Sequence, residues 1–581
     1  MPTKYLAITI AGAVSLGSYE AGAMYEILDA IRQHNEHPDT TAEGDYIRID
    51  VITGASAGGM TAAILAQKLL LQKSTFVGPD GASSPYENPL YDAWVNTITL
   101  AKLVDTSDKS IPEGDPATLS LFSSNLIERI AHDTLLQQDS SGQVPQLGGM
   151  HNAVDSARGI SLGLALTNIN GLNYQRRMFD QTPFLYTDFS DQLIRSLGVG
   201  DRTLGTWTEI AEAAVGCGAF PFAFRTKDLD RPRADFSDTL DPWPGDPDSH
   251  VFTYTDGGVL QNQPLGIAKN LVDKHDNHLG TEQRFYLFVS PSSMKGVQNL
   301  SLSEANVTLL SIGKRLIETY LGQAIYRDWI QAQDVNAQVL LLDARAAQLA
   351  AALKSKELDP GTLSRAAQHV LGLMYSTAPS DARRKKETEA DALARLAQQY
   401  TAEVTSLGGP SSAEGTALLR GILTLEMSAN LGARDRMRIY GIVTEDGKLA
   451  AAGIFAFVGF FDQAFRDHDY DWGRTVAQRL LANPAFKAPG ELGPIRYTPA
   501  PIRPIDSRLN GLLLKDIPKH DVKTFKDGMI HRAQQIIRDT APWWLRVLVS
   551  WPLSLILKAL IDWEFSRATQ GVSASRADDN S

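Results

Sequence analysis

The chain has 581 residues, 43% of them hydrophobic, and a formal net charge of −12. So much apolar side chain supports a large core and excludes a disordered chain, and the acidic balance argues against nucleic-acid binding, which needs a basic footprint. The single cysteine, Cys217, excludes an internal disulfide; between Gly216 and Gly218 it reads as a small buried thiol, and a cytoplasmic setting with peripheral membrane association is expected.

The first residues allow two readings. Lys4, an apolar run to Gly17 and then Ala21-Gly22-Ala23 have the outline of a signal peptide. The run also holds Thr9, Ser15 and several glycines and leads straight into an amphipathic helix. A strand over 5–10, a small-residue loop over 12–17 and a helix over 19–34, with Met24, Ile27, Leu28 and Ile31 on one face, is the preferred reading. A second strand over 47–52 leads into Gly54-Ala55-Ser56-Ala57-Gly58, and a helix over 61–73 follows. Two successive β–loop–α units predict a parallel sheet covered by helices.

Residues 77–89 read as a surface loop, 91–104 and 119–136 as helices, and 160–167 as a strand ending at Asn168-Ile169-Asn170-Gly171. A helix over 205–215 follows. Residues 225–250 are acidic and contain prolines, as a surface excursion would. A short strand over 251–254 delivers Asp256-Gly257-Gly258, and 284–290 reads as a last strand. Composition then changes: 303–334, 345–373 and 380–404 are helical in pattern, 408–415 is a Gly/Pro/Ser break, and 449–481 is rich in phenylalanine. Residues 542–563, from Pro542 to Trp563, hold four of the nine tryptophans, with Arg546, Pro552 and Lys558 interrupting the apolar run. Tryptophans beside cations suit a membrane–water interface; packing on the chain's own helices and a spanning anchor are the other readings.

Three stretches carry chemistry. G-x-S-x-G between a strand and a helix places a serine hydroxyl on a sharp turn at a helix N-terminus, where developing negative charge is favoured. A serine hydroxyl needs a base, and Asp256, at a strand end before two glycines, is a candidate; the same residue types also make an ordinary turn. Gly12 to Gly17 can offer backbone N–H groups to an oxyanion or be a plain tight turn. In this order the three resemble the patatin-like phospholipase family: Gly12-Ala13-Val14-Ser15-Leu16-Gly17 running into Tyr19-Glu20-Ala21-Gly22, Gly54 to Gly58, and Asp256-Gly257-Gly258 with Asn262-Gln263-Pro264.

The resemblance covers about residues 5 to 290 and implies an α/β fold, a mainly parallel sheet layered by helices, followed by a mostly α-helical C-terminal region. Residues 460–474 are similar to a C-terminal stretch of some longer members. Expected units are 1–295 (catalytic), 296–500 (helical extension) and 501–581. The resemblance also implies a serine–aspartate dyad without histidine: Ser56 as nucleophile, Asp256 as base, N–H groups of Gly12, Ala13, Val14 and Ala57 as oxyanion donors. Two departures stand out. Val14 occupies a glycine position although a β-branched residue resists φ > 0, so either ordinary dihedrals or a displaced loop is expected. Leu16 stands where the family has a basic residue. The expected activity is hydrolysis of lipid carboxyl esters through an acyl-enzyme, with acyl transfer, a membrane-bound scaffold, or a histidine triad through His520 or His531 as alternatives. No cofactor or metal is expected; an acyl-ester lipid and a membrane surface reached through 542–563 are the expected partners.

Overall fold

Lys4–Ile10 forms strand β1, a fully buried run at the middle of the sheet. The computed structural model of the chain describes residues 3–71, 84–104, 120–146, 153–177, 182–236, 248–275, 283–292, 309–377, 388–429, 437–452, 456–488, 490–512, 520, 522–523, 527–528 and 530–532. The tryptophan-rich stretch 542–563 lies outside the described residues.

Seven further strands join β1: β2 (Ile47–Gly54), β3 (Ile160–Arg177), β4 (Pro183–Leu197), β5 (Lys227–Pro232), β6 (Ser249–Asp256), β7 (Gln283–Ser290) and β8 (Ile439–Val443). The order is β5-β6-β3-β2-β1-β7-β8, with β4 paired to β3. The pairs β1/β2, β1/β7, β2/β3 and β7/β8 are parallel; those of β3 with β4 and β6, and of β5 with β6, are antiparallel. The principal helices are α1 (Gly17–Glu36), α2 (Ala57–Leu71), α3 (Asn125–Leu135), α4 (Leu204–Cys217), α5 (Leu265–His275), α6 (Leu309–Lys354), α7 (Pro360–Thr377), α8 (Glu389–Gln399), α9 (Ala413–Ser428) and α10 (Gln463–Ala482).

Strand alternation sorts the apolar residues onto two covered faces. Leu6, Ile8 and Ile10 of β1 join the core that holds Met24 of α1, Leu65 of α2 and Trp207 of α4. Ala7 of β1 and Val51 of β2 point the other way, to Ile267 and Leu271 of α5. Helices α6 to α9 enclose a second core around Val339, Leu371, Leu396, Leu418 and Ile422.

The strand–loop–helix reading of the N-terminal segment and the elbow at Ser56 match the observed elements. Four strands differ from expectation, and the first of them, β3, runs through residues 168–171 to Arg177 instead of ending there. β4 lies in a stretch given no element, because its partly exposed, polar-rich sequence lacks an apolar run. β5 lies inside the expected surface excursion 225–250, carried by the short segment Lys227–Pro232 beside β6. β7 is not the last strand: β8 pairs with it in parallel, each partner 153 positions further along the chain, from Tyr286↔Ile439 to Ser290↔Val443. The expected boundary at residue 295 thus falls between two neighbouring strands of one sheet. Expected helices over 91–104 and 119–136 are shorter and broken, and residues 303–308 and 380–387 of two others lie outside the described residues. Among the described residues no helix is long and apolar enough to cross a membrane.

The C-terminal half also docks on the first helix. Gly22 of α1 and Gly473 of α10 bring the two backbones into contact: a Cβ on Gly22 would overlap the Tyr470 carbonyl, and one on Gly473 the Tyr19 carbonyl. Next to this contact the buried Arg474 guanidinium donates from Nε to Glu26 Oε2 at 3.0 Å and from Nη2 to the Ala500 carbonyl at 2.9 Å. Removing one partner of such a pair strands a buried charge, which destabilises by about 3–5 kcal/mol. Arg474→Met is therefore expected to lower the unfolding midpoint steeply in thermal and denaturant titrations, and Glu26→Leu added to it to recover part of the loss; an Arg474→Met protein as stable as wild type contradicts this account.

Candidate active site

The two halves of the site meet because two strands share one edge of β3. β2 pairs with residues 161–164 of β3 and runs parallel to it, ending with Gly54 beside Leu164. β6 pairs antiparallel with residues 166–168, ending with Asp256 beside Leu166. β4 occupies the opposite edge throughout, so β2 and β6 run head to head along the same one. Their C-terminal ends are separated only by the width of Ala165, and Ser56 and Asp256, 200 positions apart, are thrown together.

Ser56 Oγ donates to Asp256 Oδ2 at 2.6 Å. The elbow that presents the hydroxyl is strained: Ser56 has φ 51, the left-handed region that non-glycine residues avoid. Gly58 tightens it, because a Cβ there would collide with the Ile10 and Ala11 carbonyls. Ser56 is also the residue before α2, whose first N–H groups have no partner within the helix and carry its positive dipole end.

Asp256 is held on all sides. Its N–H donates to the Ala219 carbonyl at 3.0 Å, and its own carbonyl accepts from Thr167 Oγ1 at 2.9 Å. Carboxylate Oδ1 accepts from the Gly258 N–H at 2.6 Å. Among the described residues no cation acts on it; burial, at 1% exposure, pushes its pKa up to about 7 against the pull of the Ser56 and Gly258 hydrogen bonds. Cys217 lies fully buried behind the elbow, its thiol raised by burial first and by the Asp256 charge second, so it stays a neutral thiol.

Gly12, Ala13 and Val14 lie against this pair, in a cavity of about 390 Å³ that also reaches Leu16, Phe220 and Asn262. One expected donor is already engaged: the Gly12 N–H donates to the Asn262 carbonyl at 2.9 Å. Among the described residues no hydrogen bond takes up the N–H groups of Ala13 or Val14, and Ala57, the first residue of α2, has no partner within its helix. Val14 does not keep ordinary dihedrals. It has φ 51, a conformation that costs about 1–3 kcal/mol for a side chain of this kind and persists only where neighbours enforce it.

The site contains residues beyond the three motifs. Asn262, which belongs to the aspartate motif, has a further role that no side-chain pattern reveals: its backbone carbonyl anchors the loop. Thr444, Glu445, Asp446, Gly447, Leu449, Ala452 and Ala456 form a wall from the C-terminal half. They lie in short irregular segments with no periodicity to mark them. Glu445 pairs with Arg479 at 3.4 Å on the surface, and the described residues lining the cavity include no lysine, arginine or histidine. His520 and His531 are exposed and outside the lining. Among the described residues no group of three or more His, Cys, Asp or Glu side chains is arranged as a metal site.

A family model of patatin-like phospholipases matches residues 8–269. The uncharacterized protein y4iI of Sinorhizobium fredii is 23% identical over 394 residues, covering 56% of this chain and 54% of that protein; the chain thus spans about half the length of this curated relative. The crystal structure of VipD from Legionella pneumophila aligns with 73% of this chain and 91% of that one, at 12% identity and a TM-score of 0.16. The stretch that resembles patatin-like phospholipases, residues 8–269, includes both Ser56 and Asp256.

Proposed function

We propose that the chain hydrolyses lipid carboxyl esters with Ser56 as nucleophile and Asp256 as its only base. The observation that carries this reading is the 2.6 Å hydrogen bond from the Ser56 hydroxyl to a buried carboxylate, inside a cavity whose other wall offers unengaged backbone N–H groups. Asp256 accepts the hydroxyl proton as Oγ attacks the ester carbonyl carbon. The oxyanion that forms faces the N–H groups of Ala13, Val14 and Ala57. Such donors contribute because they are already oriented when the charge develops. Collapse breaks the ester bond, and protonated Asp256 returns the proton to the leaving alkoxide. A water then repeats the sequence on the acyl-enzyme: Asp256 takes its proton, the acid leaves, and Ser56 regains its hydrogen.

A base with pKa near the working pH is well matched to this role. An isolated carboxylate of ordinary pKa would be a weak base; burial supplies the difference. The chemistry around the ester also bears on the substrate. Leu16 stands where the family has a basic residue, and among the described residues the charges lining the cavity are Asp256, Glu445 and Asp446. A neutral ester fits this lining better than one with a phosphate beside the scissile bond.

The decisive experiment needs no knowledge of the lipid. A fluorophosphonate probe is expected to label the wild-type protein at Ser56 and to leave Ser56→Ala unlabelled, with release of p-nitrophenol from a p-nitrophenyl acyl ester lost in parallel. Equal ester cleavage by Ser56→Ala overturns the assignment.

Asp256 gives a second test, with a sign that can be worked out. Its folded pKa of about 7 lies above the ordinary carboxylate value of 3.8, so between these the folded state binds more protons than the unfolded. Folding is therefore favoured on the acid side, and that advantage, about 4 kcal/mol for a shift of this size, is lost as pH rises through 7. Activity runs the other way, because only the ionised form is a base. The expected kcat/KM falls tenfold per pH unit below about 7 and is level above it. Asp256→Asn is expected to lower kcat by about a thousandfold or more and, at pH 8, to raise the unfolding midpoint above wild type. A pH profile flat from 5 to 8 contradicts the role of Asp256.

A further inference from the structure

Val14 is held in the left-handed region; besides the Gly12–Asn262 hydrogen bond and the turn's own bonds, the loop is tied to residues outside the family-matched segment. The neighbour of Val14, Ser15, is completely buried, and the Ser15 hydroxyl donates to the carbonyl of Ala456. Ala456 is itself in the left-handed region, at φ 65. Three residues on, Gly459 packs so closely on Ser15 that a Cβ there would come within 2.5 Å of its Oγ. This segment has anchors of its own. The buried Arg466 of α10 donates from Nη1 to the Gly459 carbonyl at 2.7 Å and from Nε to the Val95 carbonyl at 3.0 Å. The Phe457 ring sits among those of Phe122, Phe220 and Phe460, with centroids 5.6–5.9 Å away.

We infer that Ser15 is a positioning residue, which clamps the oxyanion loop to the 456–460 segment through its hydrogen bond to Ala456 and so keeps Val14 in the conformation that presents the loop's N–H groups to the cavity. The inference rests on the hydrolase reading above. It goes beyond that reading in giving the C-terminal half a part in the chemistry. A strained backbone conformation at a functional loop persists only when its surroundings over-determine it. On the loop's own side the constraints are the Leu16 N–H to the Ala13 carbonyl at 2.9 Å and the Gly17 N–H to Ser15 and Val14 carbonyls. These close a turn, and such a turn is also compatible with a glycine at position 14. With valine there, the Ser15–Ala456 contact is the tie that reaches from the loop to an independently anchored segment. A glycine at 14 would adopt φ 51 without strain and without the clamp.

That difference supplies the test. In wild type, Ser15→Ala is expected to lower kcat for a p-nitrophenyl ester by about tenfold to a hundredfold, within the range of a displaced oxyanion donor. KM should change less than threefold, and the pH midpoint set by Asp256 should stay near 7. Ser15→Thr, which keeps a hydroxyl, should recover most of the loss. In a Val14→Gly background, Ser15→Ala should lower kcat less than threefold. Loss by the same factor in both backgrounds, or no loss in either, overturns the clamp. If Ser15→Ala does not fold, as judged by its circular dichroism and unfolding midpoint, Gly459→Ala disturbs the same clamp from the other side, its added Cβ pressing on Ser15 Oγ. It should show the same loss and the same rescue by Val14→Gly, and absence of either overturns the proposal. Failure of wild-type Ser56 to react with a fluorophosphonate would instead remove the hydrolase reading itself.

Discussion

The site depends on how β3 shares its edge. A parallel strand enters from one end and an antiparallel strand from the other, and each stops where the other begins. Any two residues placed just beyond those ends must touch. Ser56 and Asp256 occupy these positions, so a contact across 200 residues of chain follows from register alone. Register is robust here because β1 and β2 alternate between two buried faces: slipping β2 by one residue would turn Val51 and Ile52 to the wrong layers. The hydrophobic core thus fixes the geometry of the polar pair.

The same placement sets the chemistry of the aspartate. A strand that ends against the middle of a sheet ends in the core, far from water. Among the described residues the carboxylate receives two hydrogen bonds but no cation, and desolvation outweighs them. A nearby arginine or lysine would stabilise the fold and hold the pKa near or below its ordinary value, leaving a poor base. The strained Ser56 and Val14 have the same character: local conformations unfavourable in themselves, supported by packing elsewhere.

Much of this was visible in the chain. The glycine turn at Ser56 and the apolar runs of β1 and β2 announce themselves because each rests on local side-chain types. Asp256 is locally indistinguishable from a turn former, and it was its order relative to Gly12 and Gly54 that singled it out. What could not be read depends on contacts without a local signature. β4 is partly exposed and polar, and β5 is six residues long within an acidic, proline-bearing stretch. β8 lies 153 positions after its partner, beyond helices with a core of their own. The engagement of the Gly12 N–H by a backbone carbonyl leaves no trace in residue type at all. Val14 is the instructive case: its side chain argues for ordinary dihedrals or a displaced loop, and the tertiary setting holds it in the left-handed region.

The span of a family resemblance and the span of a folding unit are different quantities, and this chain separates them. The matched segment ends at residue 269, inside α5 and before β7. Yet β7 is flanked by β1 on one side and by β8 on the other. A chain cut after β7 would expose the row of N–H and C=O groups that β8 now pairs, on a strand whose side chains from Phe285 to Val289 are buried. It would also uncover the glycine contact between α1 and α10 and leave Glu26 buried without Arg474. Met437, at the entry to β8, exchanges hydrogen bonds between its backbone and the side chain of Asn336 on α6, so the helical region is tied to the same edge. The physical unit that contains Ser56 therefore extends at least through α10. The strand that completes the sheet carries a wall of the cavity with it, and this places Thr444, Glu445, Asp446 and Leu449 in the same cavity as Ser56.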